Sequence, residues 1–507
     1  MRFLTKTEWK IFLIFWIIFS VFAASDRWND NASLDLTRAI VDEHRFEIDS
    51  YANNTGDRAY YNGHYYSDKV PGTALLAVPL YQAYKIVFGK IPYHNSLDED
   101  NPSWKYQLFL FFAISLISAV CAALTIVLVY RISKYFTSNN LHRNLVIIVL
   151  GLGTLLPHAG RQFNSHAIST FFIFLCFYLI FKMKKEKVDH SFIAGLVGGF
   201  AVLSEYRVLF VLIGLFIIVL TFKKWICVLR FMAGISIFLG ILLLYHYTIY
   251  GSPFENSIGH PDVSIWEDKT KALICGDKVF FNKHYNDSTV PKLIAAIKGN
   301  LIYSEKLWAN INRTIRLLID PFKGLFFYSP ILLLSFLGLF LMYKEYKLET
   351  LVISFCFFII LLFLAGFVTW WMGLSFGPRY LTPLIPFLMI PLFYLFKKTD
   401  IRIILFFVTI SILISLIGLQ SVNLSHDPII FSNTYCEKLK SFTPLANPLF
   451  DNYLPSILKY SDYDPKHSEN FLILERLLGF RIVPLANIAL LLITFLLIWK
   501  NRIIFKN

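Results

Sequence analysis

The sequence predicts an all-α, polytopic membrane protein, and three observations carry that prediction. Hydrophobic residues make up 56% of the 507 positions and charged residues only 16%. The apolar residues, among them 50 phenylalanines, come in long runs rather than amphipathic stripes. Basic residues crowd into alternate connections, whereas the long polar loops lie between them. A run of about 20 apolar residues matches the hydrocarbon thickness of a bilayer. In lipid the backbone must satisfy its own hydrogen bonds, so such runs read as helices.

Taken in order, the first apolar run is Ile11 to Ala24, behind Arg2, Lys6 and Lys10. Val21-Phe22-Ala23 would pass as a signal-peptide cleavage site, but the run leads into a chain full of further spans and reads as the first of them. The stretch from Pro71 to Phe88 is only moderately apolar and is interrupted by Pro79, Gln82 and Lys85, the pattern of a helix lying at the interface. Further spans are expected at 106–130, 144–160, 164–181, 191–205, 207–222, 225–249, 324–343, 348–369, 379–396, 402–421 and 484–499. With the first, this gives about twelve crossings. Gly195 and Gly199 form a GxxxG inside one span, which close helix packing explains.

The short connections orient the bundle. Arg131, Lys134 and Arg143 flank one turn; Lys182, Lys184, Lys185 and Lys187 crowd the next. Lys223, Lys224 and Arg230 follow, then Lys344 and Lys347, then Lys397, Lys398 and Arg402, and the tail carries Lys500, Arg502 and Lys506. Such clusters stay cytoplasmic. Their surplus accounts for the formal net charge of +14, so the high pI reports topology, and nucleic-acid binding is rejected as its explanation. Both termini then lie inside, with outer loops at about 25–105, 250–323 and 422–483.

The first outer loop is the richest in chemistry. It opens with Ser25-Asp26-Arg27-Trp28-Asn29-Asp30-Asn31 at the membrane edge. A short amphipathic helix pattern follows, with Leu34, Leu36, Ile40 and Val41 apolar and Asp35, Arg38, Asp42 and Glu43 polar. Then comes Tyr60-Tyr61-Asn62-Gly63-His64-Tyr65-Tyr66-Ser67-Asp68-Lys69-Val70-Pro71-Gly72. A carboxylate fixed just beyond a span sits where a lipid headgroup meets an aqueous substrate, and there it can take a proton from an attacking hydroxyl. A lysine before a Pro-Gly turn can neutralise a phosphate leaving group. The bland alternative is that Asp26 and Asp30 cap the helix and Lys69 snorkels.

This arrangement resembles the GT-C superfamily of membrane glycosyltransferases, and within it the protein O-mannosyltransferase and aminoarabinose-transferase-like branch, which uses polyprenyl-phosphate sugars. Two later segments agree. Pro321-Phe322-Lys323-Gly324-Leu325-Phe326-Phe327-Tyr328-Ser329-Pro330 resembles the family's GLF-x-YSP entry to a span. Trp371-x-Gly373-x-Ser375-Phe376-Gly377-Pro378-Arg379-Tyr380-Leu381 resembles its GG-x-SFGPRYL segment.

The resemblance implies an inverting transferase that moves one sugar from a polyprenyl-phosphate carrier to an extracytoplasmic acceptor, in the plasma membrane of a prokaryote. The family's Asp-Glu pair reads Asn29-Asp30 here, a departure that favours Asp30 as catalytic base with Asp26 as the alternative. Lys69 matches the phosphate-contacting lysine. His64, Tyr66 and Asp68 from the same motif, Arg379 and His166 are the other candidate substrate contacts. Residues 1–421 then form the transmembrane catalytic domain with the outer loops 25–105 and 250–323, and 422–507 an outer loop with the last span. The partners implied are the lipid-linked sugar, the acceptor and the bilayer. A divalent metal serves some relatives, but no ligand set in this sequence requires one.

Other features separate this reading from its rivals. Transporters and lipid flippases place charges and broken helices near the midplane, often in paired halves, whereas the ionisable residues here fall at span ends. A two-carboxylate hydrolase needs a pair at defined separation, and none is identifiable. Glu205 and Arg207 read as a solvated outer turn. The third outer loop, with Tyr435, Asp451, Tyr453 and Tyr463, reads as acceptor recognition or as cover over the site. Cys121, Cys176, Cys227 and Cys356 fall in apolar runs, while Cys275 and Cys436 fall in outer loops, where an oxidising compartment permits a disulfide. Asn-x-Ser/Thr sequons begin at Asn31, Asn53, Asn286, Asn312 and Asn423.

Overall fold

A computed structural model of the chain describes residues 4–25, 28–92, 103–262, 307–366, 370–373, 375–420, 447–458 and 472–478. The helix α1 (Lys6–Val21) is opened by a capping box between Thr5 and Glu8. Beyond it the chain forms α2 (Trp28–Arg38), a hairpin of β1 (Arg58–Tyr61) and β2 (His64–Ser67), and α3 (Gly72–Phe88). The hairpin is antiparallel, with Arg58 opposite Ser67 and Tyr61 opposite His64. Its turn, Asn62-Gly63, has positive φ at both residues, the pairing preferred by a two-residue hairpin loop. This small sheet modifies the all-α expectation: alternating aromatic residues around an Asn-Gly turn are a strand signal that a count of apolar runs overlooks.

The bundle follows. α4 (Trp104–Ser133) is a single 30-residue helix interrupted by a π-helical turn at Ile114–Ser118. Next come α5 (Asn140–Leu152), α6 (Leu156–Gly160), α7 (Ser165–Glu186), α8 (Ser191–Ser204), α9 (Leu209–Leu220) and α10 (Trp225–Tyr250). Further along the chain stand α11 (Leu307–Ile319), α12 (Ile331–Tyr343), α13 (Lys347–Ala365) and α14 (Ile401–Gln420). Among the described residues, 5 helices are long and apolar enough to cross a membrane: α4, α7, α10, α13 and α14. The molecule is an integral, multi-pass membrane protein.

Three expected spans take a different form. The stretch 144–160 breaks after Leu152, where Thr154 turns its hydroxyl back to the Leu150 carbonyl at 2.7 Å and Pro157 starts α6. The stretch 324–343 starts with one turn, Leu325–Tyr328, and restarts behind Pro330. The stretch 379–396 is a 3-10 helix, Arg379–Leu384, followed by the short helices Ile385–Met389 and Leu392–Leu395. Pro383, Pro386 and Pro391 each remove a backbone donor and prevent a continuous ladder. The expected span at 484–499 lies outside the described residues.

Close packing holds α8 against α10. A Cβ at Gly195 would fall 2.0 Å from the Phe231 carbonyl oxygen and one at Gly199 2.9 Å from that of Ile235. The GxxxG is therefore a packing seam, as its spacing predicts. The basic connections are partly neutralised: Glu8 pairs with Arg131 at 3.0 Å and Lys134 at 3.4 Å, and Glu349 with Lys184 at 2.6 Å. Cys121, Cys176, Cys227 and Cys356 are buried. Cys275 and Cys436 lie outside the described residues.

Candidate active site

α2 begins at Trp28, so Asp30 stands in the first turn rather than at the cap, and it is fully buried. Its helix is covered on its polar side as well. Asp35 and Arg38 are 0% and 1% exposed, where an amphipathic surface helix would have left them wet. The Arg38 guanidinium donates to the carbonyls of Ile91 at 3.0 Å and Pro92 at 3.2 Å and lies 4.2 Å over the Tyr51 ring. Asp35 accepts from Asn54 at 3.0 Å and pairs with Arg38 at 3.4 Å. Burial nevertheless pushes its carboxyl up to about 7, against the pull of Arg38 and Asn54. Beside Asp30, Asn31 donates to the Asn54 carbonyl at 2.6 Å and accepts from the Tyr106 hydroxyl. Tyr106 also lies within electrostatic reach of Asp30. Asp26 lies outside the described residues.

A second group forms around Lys69. Its ammonium pairs with Asp57 at 2.9 Å and Asp68 at 3.0 Å. Burial works to lower its pKa, yet the two carboxylates hold it above the usual lysine range. Asp68 is pushed up to about 6, by burial first, while Lys69 and Arg379 pull it down and Asp57 adds to the rise. Loop and bundle thus meet here: Arg379 acts on Asp68, and the Arg207 guanidinium lies 3.5 Å over the ring of Tyr380.

Arg379 is delivered by the 375–382 segment. Gly377 sits at φ +63°, and a Cβ there would press on Leu155 at 2.9 Å and Tyr328 at 3.0 Å. Lys323, from the other family-like segment, is buried and donates to the Ser375 carbonyl and, at 3.3 Å, to its hydroxyl. The two family-like segments therefore brace one another. The Tyr453 ring lies 5.6 Å from that of Phe376.

The turn at Glu205 corrects the expectation of a solvated loop. Glu205 is 2% exposed and is fully engaged. Its carboxylate accepts from Arg207 at 2.8 Å, Ser169 at 2.7 Å and His166 Nδ1 at 3.1 Å. The His166 ring centroid lies 5.4 Å from that of Tyr380. Glu205 and Arg207, which the sequence reads as a solvated turn, Tyr380, which it quotes only within a motif, and Asp57, which it does not single out, all lie in this neighbourhood. The one available signal was a Glu-x-Arg placed directly against an apolar run.

The structure thus brings Lys69, Asp68, Arg379 and His166 into one neighbourhood and leaves the other candidates apart. Asp30 belongs to the adjoining network of Asn31, Asn54 and Tyr106, and the two are linked by Thr55, which donates to the Trp28 carbonyl at 2.7 Å and accepts from the Asp57 amide at 3.0 Å. His64 is at the exposed hairpin tip, 2.7 Å from Asp49. Tyr66 is buried in an aromatic cluster, its ring centroid 6.2 Å from that of Tyr250, and burial pushes its phenol up to about 12. Among the sequons, Asn31 and Asn312 are buried and hydrogen-bonded, whereas Asn53 is exposed. Among the described residues no group of three or more His, Cys, Asp or Glu side chains is arranged to hold a metal ion.

Residues 107–248 match the family model of the dolichyl-phosphate-mannose-protein mannosyltransferases. The apo crystal structure of the Archaeoglobus fulgidus oligosaccharyltransferase is similar at a TM-score of 0.40 with 14% sequence identity. That match covers 93% of this chain and 62% of the archaeal protein, so the chain spans under two thirds of its length. No curated protein sequence matches the chain significantly. Over residues 107–248 the chain is thus similar to the dolichyl-phosphate-mannose-protein mannosyltransferases.

Proposed function

We propose that the protein is an inverting transferase that moves one sugar from a polyprenyl-phosphate carrier to an acceptor on the extracytoplasmic side. The observation that carries this reading is the convergence of Asp68 and Lys69 from the first outer loop with Arg379 and His166 at the ends of spans. Cations held there suit a phosphate that becomes the leaving group, because fixed charge where negative charge develops lowers the barrier. Lys69 is flanked by two carboxylates, so it engages the phosphate by exchanging one of them, and Asp68, with its raised pKa, is the one that yields.

Asp30 is the base in this reading and Asp26 its alternative. The acceptor hydroxyl loses its proton to the carboxylate as its oxygen bonds to the anomeric carbon, and the carbon–phosphate-oxygen bond breaks to leave the polyprenyl phosphate. Attack from the face opposite the phosphate inverts the anomeric centre. The topology that places this chemistry outside has about twelve crossings with both termini cytoplasmic, residues 1–421 forming the catalytic part and 422–507 an outer loop with a final span.

The test is to incubate purified protein with radiolabelled polyprenyl-phosphate sugars and candidate acceptors, and to read product anomeric configuration by NMR. Transfer with inversion is the expected result. Transfer with retention would contradict the direct displacement. Carrier movement across vesicles without transfer would favour a flippase.

A further inference from the structure

Asn31, the residue after Asp30, accepts from the Tyr106 hydroxyl and donates to the Asn54 carbonyl at 2.6 Å. Asn54 donates to Asp35 at 3.0 Å, Asp35 pairs with Arg38 at 3.4 Å, and Arg38 donates to the Ile91 carbonyl at 3.0 Å. A chain of polar groups thus runs from the outer end of α4 along the length of α2, and all of these side chains are buried. Buried polar networks rigidify the elements they join, so this one holds α2 in a single rotational setting. Asp30 and Asn31 are successive helical residues, about 100° apart around the axis. Whatever fixes Asn31 therefore fixes the direction of the Asp30 carboxylate.

The shape of α4 supplies an independent observation. Its outer end, Trp104–Ala113, is separated from the rest of the helix by the π-helical turn Ile114–Ser118. One extra residue in a turn rotates everything outside it by about 100° relative to an unbroken helix. The break is supported from α1, where Trp16 donates its indole N–H to the Ser115 carbonyl at 2.7 Å. On the rotated end, the Tyr106 phenol meets Asn31 and lies within electrostatic reach of both Asp30 and Asp35. Turns of this kind recur at functional sites, and this one sets the direction of the side chain that anchors the candidate base.

We propose that Tyr106 is a positioning residue for transfer, which through Asn31 sets the orientation of the Asp30 carboxylate. The inference rests on the reading of Asp30 as the base. A base acts only while its oxygen stays within hydrogen-bond reach of the hydroxyl it deprotonates. Freeing the first turn of α2 therefore costs rate and leaves donor affinity as it was.

The test is a double-mutant cycle on the full chain in neutral lipid nanodiscs. It reads single-turnover transfer from a radiolabelled polyprenyl-phosphate sugar alongside donor affinity. Tyr106→Phe removes one hydroxyl and is expected to slow transfer about tenfold or more at unchanged donor affinity. In an Asp30→Asn background the same change is expected to cost less than about twofold, because a residue that acts through the base then has nothing to orient. Tyr106→Phe combined with Asn31→Leu removes both partners, the gentler deletion of a buried hydrogen bond, and is expected to slow transfer at least as much. Wild-type rates in both of these variants, an equal factor in both backgrounds, or a parallel loss of donor affinity overturns the proposal. Slow transfer in Asp30→Asn with none lost in the Tyr106 variants overturns the positioning role alone. Full turnover in Asp30→Asn overturns the base assignment and, with it, the role of Tyr106.

Discussion

Asp57 and Asp68 crowd the Lys69 ammonium, and burial works against the charge on Asp68. Asp68, raised to about 6 chiefly by burial, binds a proton more tightly in the folded protein than in the unfolded chain. Its contribution to stability is therefore complete below the ordinary aspartate value of 3.8 and is lost as pH rises through about 6. Thermal unfolding of wild type and Asp68→Asn in neutral detergent between pH 4 and about pH 7 checks this. The variant should show a flatter dependence than wild type; identical slopes would mean that Asp68 does not titrate there. None of this was legible in the sequence. The motif around Lys69 is contiguous in sequence, but Asp57 joins it only because the hairpin brings residues 57 and 69 together. Glu205 and His166 are separated by 39 positions, and only the packing of α8 on α7 makes them partners.

Elements explain which expectations held. Long apolar runs such as Trp104–Ser133 were readable because hydropathy and length alone specify a crossing helix. The broken elements were not, because a proline's effect depends on whether neighbours satisfy the freed carbonyls. The 375–382 segment shows what such a break achieves: its irregular backbone brings Arg379 within electrostatic reach of Asp68. Gly377→Ala should expose that dependence. A side chain at φ +63° costs roughly 1–2 kcal/mol, and the added Cβ would also push against Leu155 and Tyr328. Lower thermal stability together with weaker donor binding is expected. A variant that binds and unfolds like wild type would show that the turn does not fix Arg379.

At the scale of the whole molecule, the charge asymmetry of the connections makes a topological prediction. A cysteine introduced by Glu186→Cys should be protected from an impermeant label added outside, and one introduced by His284→Cys should react. The reverse pattern would place Lys69 and Arg379 on the wrong side for an extracytoplasmic acceptor. A second measurement at this scale concerns the outer loops: peptide mapping without reduction should report whether Cys275 and Cys436 are joined. A linked peptide is the expected outcome if the second and third loops close over one face, and two free thiols would separate them.

The central claim is that the first outer loop supplies the base for transfer, and its most direct test separates chemistry from donor binding. Asp30→Asn keeps shape and hydrogen bonding but cannot accept the acceptor's proton. Single-turnover transfer from a radiolabelled polyprenyl-phosphate sugar should therefore fall by roughly 10²–10⁴-fold while donor affinity is retained, whereas Lys69→Ala should weaken both. Asp26→Asn run in parallel resolves which carboxylate acts: loss of turnover there, with Asp30→Asn unaffected, would move the base to Asp26. Wild-type turnover in all three correctly folded variants would contradict the account, because the first outer loop would then hold no part of the active site.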